Sequence, residues 1–191
     1  MSTLIFIRHG ETDMAGRFCG HSDPDLNSAG ELQILRAAEE VTKLSVQRIY
    51  SSDLLRAART AIIIGTRIGV PVEFSDQLRE INFGLWEGLN WQEIENQFPQ
   101  EAGRWIDDFP MRSAPRGESY TAFTARIDAV IFPLLCEAPS RSTAFVTHRG
   151  VMRYALTRFC GFSEEDAWTR TEPYAAVVAA SVFSSECKVL L

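Results

Sequence analysis

Leu4-Ile5-Phe6-Ile7-Arg8-His9-Gly10-Glu11-Thr12 places a cation, an imidazole and a glycine directly after four apolar residues. A short continuous apolar run rich in β-branched and aromatic residues reads as a strand buried on both faces. In open α/β sheets, ligands collect beyond the carboxyl ends of the strands. Arg8 and His9 therefore stand where such folds keep their chemistry, and Gly10 is expected to let a ligand approach the backbone. A guanidinium matches phosphate bidentately, and an imidazole can attack phosphorus. Ala144-Phe145-Val146-Thr147-His148-Arg149-Gly150 repeats the pattern near the other end of the chain. Two of the three histidines thus close apolar strands.

The 191 residues are 46% hydrophobic and 23% charged, an ordinary globular composition long enough for one full core. A net charge of −6 argues against nucleic acid or an anionic membrane as partner, since either calls for a basic face. No segment has the length to span a membrane or the form of a secretory signal, which makes the cytoplasm the expected location. Cys19, Cys136, Cys160 and Cys187 lack metal-binding spacing and fit thiols in a reducing compartment, with Cys136 and Cys160 expected in the core.

Further along, a long Gly-rich loop covers Gly10 to Pro24, and Asn27 or Ser28 can cap a helix whose apolar face uses Leu32, Leu35, Ala38 or Glu39, and Val41–Leu44. A strand at 48–52 leads into a helix capped by Ser52 or Asp53 and stopped by Gly69-Val70-Pro71. Arg56 lies in its first turn, where the macrodipole disfavours a cation, so an anion shared with that terminus explains it better than solvation beside Asp53. After a strand at 72–74, helices are expected at 90–98 and 102–109, then from Ser119 to about Cys136. Next come a strand at 143–147 and helices at 150–159 and 163–168. Two closing strands, 176–183 and 187–191, form a hairpin. Alternating strands and helices without linker or repeat predict a single three-layer α/β/α domain over 1–191, with a mostly parallel central sheet.

Taken together, Arg8-His9-Gly10-Glu11-Thr12, Ser51-Ser52-Asp53-Leu54-Leu55-Arg56-Ala57, Leu78-Arg79-Glu80 with Phe83-Gly84-Leu85-Trp86-Glu87-Gly88, and Thr147-His148-Arg149-Gly150-Val151 resemble the histidine phosphatase superfamily, the phosphoglycerate mutase-like fold. The resemblance implies that His9 is a nucleophile forming a phosphohistidine, that Arg8, Arg56 and His148 hold the phosphoryl oxygens, and that Glu80 is the proton donor. It implies no metal and no cofactor. Glu87 is the nearest rival to Glu80, and a surface pairing of Glu80 with Arg79 is the plainer reading. In this family an Asn usually follows the first motif; here Asp13-Met14-Ala15-Gly16 takes its place, leaving Arg17, Ser22 or a backbone amide to supply the contact. Arg149 occupies a position where a small residue is common, and it either reaches substrate or points into solvent. Residues 81–118 correspond to a cap-like insertion over the site.

Within the family, the acidic balance of 81–118 is poor for a phosphoglycerate mutase. The Cys19-Gly20-His21-Ser22 loop and Gly117-Glu118-Ser119 look more like α-ribazole-5'-phosphate phosphatase of cobalamin synthesis, which adds Gly20 and His21 to the substrate-binding candidates. Trp86, Trp91 and Trp105 either stack on a flat heterocycle or, more commonly at such spacing, fill a core. The expected partner is a small phosphorylated metabolite, with a second copy of the chain pairing through aromatic residues of 85–110. The rival readings are a cofactor-dependent mutase and a non-catalytic phospho-ligand binder.

Overall fold

Alternation along β1 (Ser2–Arg8) divides its side chains between two cores. Leu4 and Phe6 enter one apolar cluster and Ile5 and Ile7 enter another, all at most 2% exposed. The computed structural model describes residues 2–136 and 142–182. Its five-stranded sheet has the order β3-β2-β4-β1-β5, where β2 is Arg48–Ser52, β3 Val72–Ser75, β4 Ser142–Thr147 and β5 Val177–Val182. Every pairing is parallel except that of β5 with β1. The cluster containing Ile5 and Ile7 packs against α1 (Ser28–Val41) and α2 (Leu55–Ile68). The cluster containing Leu4 and Phe6 packs against α5 (Tyr120–Cys136), α6 (Arg149–Cys160) and α7 (Glu164–Thr171). This is the three-layer arrangement expected, and it forms a single α/β domain.

Residues between β3 and α5 make a third apolar cluster of their own, in which Trp86 and Ile94 are fully buried. Two short helices carry it, α3 (Trp91–Gln97) and α4 (Pro99–Asp107), the second opening on Pro99 at its first position.

Several local expectations change. Asn27 does cap α1, accepting from Gly30 N–H at 2.8 Å, but the buried face is Ile34, Ala37, Ala38 and Val41, while Leu32 and Leu35 are exposed. Neither Ser52 nor Asp53 caps α2; Leu54 stands at that position, and Asp23 reaches across to accept from Leu55 N–H at 2.6 Å. Cys136 is exposed rather than core. The strand at 187–191, and with it the closing hairpin, lies outside the described residues.

Candidate active site

Neighbouring strands β1 and β4 end in register, Arg8 opposite Thr147, and His9 N–H bonds the Thr147 carbonyl at 3.0 Å. That pairing brings the His9 and His148 rings to 5.1 Å between centroids, both buried at the carboxyl edge of the sheet. His9 Nδ1 lies 2.7 Å from the Gly10 carbonyl, an acceptor only, so Nδ1 carries the proton and Nε2 keeps its lone pair. Burial, then the Arg56 charge and the weaker one of Arg8, pushes the His9 imidazole well below its ordinary value of 6.5 despite the bond to Gly10. His9 is therefore neutral at pH 7, as a nitrogen nucleophile must be.

His148 is lowered in the same way, by burial first and Arg56 second. Its Nε2 is 2.9 Å from Ser52 Oγ, which also accepts from Leu54 N–H at 3.3 Å. With the hydroxyl proton turned to Nε2, the His148 proton sits on Nδ1. That Nδ1 is buried without a partner.

Arg56 is 1% exposed and, among the described residues, pairs with no carboxylate. Its Nη1 donates to the Ser22 carbonyl at 2.7 Å and its Nη2 to those of Cys19 and Gly20 at 3.1 and 2.8 Å, leaving Nε buried without a partner. Arg8 donates Nη1 to the carbonyls of Thr171 and Glu172 and lies over the Tyr174 ring at 4.1 Å, and its Nε is orphaned too. Buried donors without acceptors are costly and uncommon in native folds. Three of them belong to Arg8, Arg56 and His148, and the charges of Arg56 and Arg8 act on His9.

Glu80 is 8% exposed and does not pair with Arg79, which instead grips Asp53 bidentately at 2.7 and 2.5 Å. The Glu80 carboxylate accepts from Ile81 N–H at 2.9 Å and from Gly150 N–H at 2.8 Å, two residues beyond His148. A Cβ on Gly150 would meet that carboxylate and displace it, so the glycine leaves room for Glu80 where it lies. Gly10 serves otherwise than expected: its missing Cβ faces the Gly30 backbone of α1 at 2.7 Å, a packing contact and not a ligand approach.

Glu87 organises rather than rivals. It accepts from Gly20, His21 and Ser22 N–H, from Ser22 Oγ and from Phe83 N–H, all within 3.1 Å. Burial raises this carboxyl, but the bonds from Ser22, His21 and Phe83 outweigh it and hold it below the ordinary carboxylate value. The loop that Glu87 holds by its amides holds Arg56 by its carbonyls.

Gly20 and His21 belong to that loop. Gly20 packs too closely on Ile81 and Glu87 for any side chain, and His21 Nδ1 meets Asn82 Nδ2 at 3.3 Å. Arg17 is not brought to the site, because Gly88 O at 2.7 Å and Glu93 at 2.9 Å hold its guanidinium elsewhere. Ser22 spends its hydroxyl on Glu87, so neither residue supplies the contact expected where the Asn is missing. Arg149 faces a cavity of about 660 Å³ that Glu80 also lines. Trp105 lines it as well, whereas Trp86 is core.

The sequence reading missed two supports. Arg126 on α5 donates to the carbonyls of Gln77, Arg79 and Glu80 and pairs with Glu118 at 2.8 Å, fixing the segment that presents Glu80. A cation between Phe123 and Ile127, on the buried face of an apolar helix, was its signal. Tyr174, under Arg8 and 5.8 Å from His9, carried none.

Residues 4–191 match the histidine phosphatase superfamily, branch 1. The chain belongs to that superfamily. It is 33% identical over 160 residues to the glucosyl-3-phosphoglycerate phosphatase of Mycobacterium tuberculosis, covering 78% of this chain and 71% of that one. It is 27% identical over 167 residues to the adenosylcobalamin/alpha-ribazole phosphatase of Escherichia coli, covering 86% and 82%. A solved mycobacterial glucosyl-3-phosphoglycerate phosphatase in complex with VO3 superposes with a TM-score of 0.81 at 28% identity over 94% of this chain and 92% of that one. Among the described residues no group of side chains is arranged to hold a metal ion, and no helix is long and apolar enough to cross a membrane.

Proposed function

We propose that this histidine phosphatase hydrolyses a small phosphomonoester through a phosphohistidine on His9. The observation that carries the reading is a neutral His9 imidazole with a free Nε2 lone pair, 5.1 Å from the His148 ring and under the charges of Arg56 and Arg8, with Arg8 Nε, Arg56 Nε and His148 Nδ1 buried and unpartnered. A bound phosphoryl group would satisfy all three at once and lie before the nucleophile, with its developing charge stabilised by fixed donors.

In the first half-reaction His9 Nε2 attacks phosphorus and the P–O bond to the alcohol breaks. Glu80 delivers a proton to the departing oxygen, while the Gly10 carbonyl steadies the Nδ1–H of the phosphorylated ring. In the second, the Glu80 carboxylate takes a proton from water, the resulting hydroxide attacks phosphorus, and the P–N bond breaks to return neutral His9 and inorganic phosphate. All the proton transfers are carried by side chains of this chain.

α-Ribazole 5'-phosphate is the substrate we favour, on the likeness to an alpha-ribazole phosphatase and on a cavity beside Glu80 large enough for a flat heterocycle and walled by Phe83, Trp105 and Phe123. Residues 81–114 supply one wall of that cavity, the place a cap would occupy. The test is phosphate release, with chelator present, from α-ribazole 5'-phosphate, 3-phosphoglycerate, a nucleotide and nitrophenyl phosphate, together with acid-labile labelling of His9. Release from α-ribazole phosphate with labelling that His9→Ala abolishes is expected. Undiminished turnover by His9→Ala would remove His9 as nucleophile, and no release from any compound would favour a phospho-ligand binder.

A further inference from the structure

Beyond the phosphoryl pocket, the cavity is walled mostly by rings, yet it also receives two guanidiniums from one helix. Arg149 and Arg153 are one turn apart on α6. Their guanidinium carbons lie 4.1 and 4.3 Å from the centre of a single indole, Trp168 of α7. Like charges four residues apart destabilise a helix, and Arg149 also stands at the positive end of its macrodipole.

The compensation visible in the fold is thin. Arg149 reaches Glu172 only at 3.9 Å and Arg153 reaches Glu164 at 3.6 Å, both carboxylates being mostly exposed. Nε and Nη2 of Arg149 and Nε of Arg153 are buried with no hydrogen-bond partner. Burial lowers the guanidiniums of Arg8 and Arg153 first and Arg149 lowers both further, while at Arg153 the nearby Glu164 carboxylate acts more strongly in the other direction. Of the other charges on this cavity, Glu118 is paired with Arg126 and Arg112 with Asp108, while the carboxylates of Glu80 and Glu164 also line it, Glu164 beside Arg153.

We infer that Arg149 and Arg153, both against Trp168, form a second anion site in the leaving-group cavity, so that the substrate class widens from α-ribazole 5'-phosphate, which has no second oxyanion, to phosphomonoesters whose alcohol carries an apolar body and a further oxyanion. The inference rests on the phosphatase reading and adds the substrate class. A carboxylate or a second phosphate group bound by the two guanidiniums would relieve their repulsion. Indole stacking supplies the alignment, because guanidinium over indole is the strongest cation–π pairing among side chains.

Phenyl phosphates separate the two ideas. Turnover of phenyl phosphate and 4-carbamoylphenyl phosphate reads the phosphatase activity alone. The ratio of kcat/KM for 3- or 4-carboxyphenyl phosphate to that of the matching carboxamide reads the second site, and 4-phosphonophenyl phosphate reads the phosphate alternative. We expect at least one anionic compound to exceed its neutral isostere by about tenfold or more, chiefly through KM. Arg149→Gln and Arg153→Gln should each pull that ratio toward one, and Arg153→Lys should recover part of it. A wild-type ratio near one for every anionic compound would overturn the site, as would ratios unchanged in both glutamine variants. Should a variant not fold, the wild-type ratio and its decline with added salt still decide. If nothing is hydrolysed the phosphatase reading fails by itself, and calorimetric titration of the same pairs reads the anion site without turnover.

Discussion

Replacing Glu87 by Gln removes one oxygen and one charge while keeping the shape, and the structure sets the size of the effect. One Glu87 oxygen accepts from Gly20 N–H at 3.1 Å, Ser22 N–H at 3.0 Å and Ser22 Oγ at 2.7 Å, and the other accepts from His21 N–H at 2.8 Å and Phe83 N–H at 3.0 Å. The best the amide can do is to keep its oxygen on the three-donor side. Its NH2 then faces His21 and Phe83, two donors against a donor. Two partly buried amides without acceptors cost about 1–3 kcal/mol each, and the three remaining bonds lose their charge assistance. Allowing for water at this half-buried carboxylate, the loss comes to about 3 kcal/mol, or about 6–12 °C in Tm for a chain of this length.

The functional consequence follows from the other side of the loop. The carbonyls of Cys19 and Gly20 that grip Arg56 belong to peptides whose amides Glu87 fixes, and the third, that of Ser22, belongs to a residue whose own amide it fixes. Glu87→Gln should therefore weaken inorganic phosphate as a competitive inhibitor along with kcat/KM, by about tenfold for each 1.4 kcal/mol transmitted. Urea unfolding and phosphate inhibition check both. Since Glu87 titrates lower in the folded chain than its ordinary 4.5, its contribution is full above that value and lost as pH falls through the folded one. The stability gap between the two proteins should then close in acid. A variant within about 1 kcal/mol of wild type at neutral pH, or a gap that persists in acid, would refute the reasoning.

Gly150→Ala should drive a methyl into the Glu80 carboxylate and lower kcat at least tenfold on alkyl phosphates, and less on nitrophenyl phosphate, whose leaving group needs no proton; equal losses on both would detach Gly150 from the proton donor. Arg126→Met should free the carbonyls of Gln77, Arg79 and Glu80 and leave Glu118 unpaired, costing about 3–5 kcal/mol in urea unfolding together with the same leaving-group dependence. His9 and His148 are held below 6.5 by burial, so beneath that pH the unfolded chain binds the more protons and stability falls as pH falls. From pH 6.5 to 5.5 the two together should remove about 2 kcal/mol in urea unfolding, about half of it restored in His9→Gln, and a flat profile would contradict their buried neutral state.

What was legible in the sequence was whatever depends on the order of residues along one strand or helix. Leu4 to Ile7 announces a doubly buried strand because nothing but a sheet with two covered faces accepts four apolar residues in a row. His9 and His148 could be paired because both follow such strands. The helix faces were harder. In α1 the apolar count fits a stripe through Leu32 and Leu35, yet the close approach of Gly30 to Glu11 rotates Ile34 and Ala38 inward, and that approach is a tertiary fact.

The site divides along the same line. Residues that would touch the phosphoryl group sit within motifs and were visible, whereas the residues that hold them were not. Glu87 looked like a rival acid because a carboxylate near Glu80 in sequence carries the same chemistry; only its five donors, four from the distant Gly20–Ser22 loop and one from Phe83 folded back on it, make it a loop anchor. Asp53 looked like a cap and is the partner of Arg79. Arg149 is the instructive case. Its position beside His148 made it a substrate candidate, but its partner Arg153 is visible only as a helix turn and their shared Trp168 only through the packing of α7 on α6. A lone arginine at a strand end is ambiguous between ligand and solvent; two guanidiniums on one indole, with three of their six nitrogens buried and without a hydrogen bond, are a charge arrangement that an incoming anion would stabilise.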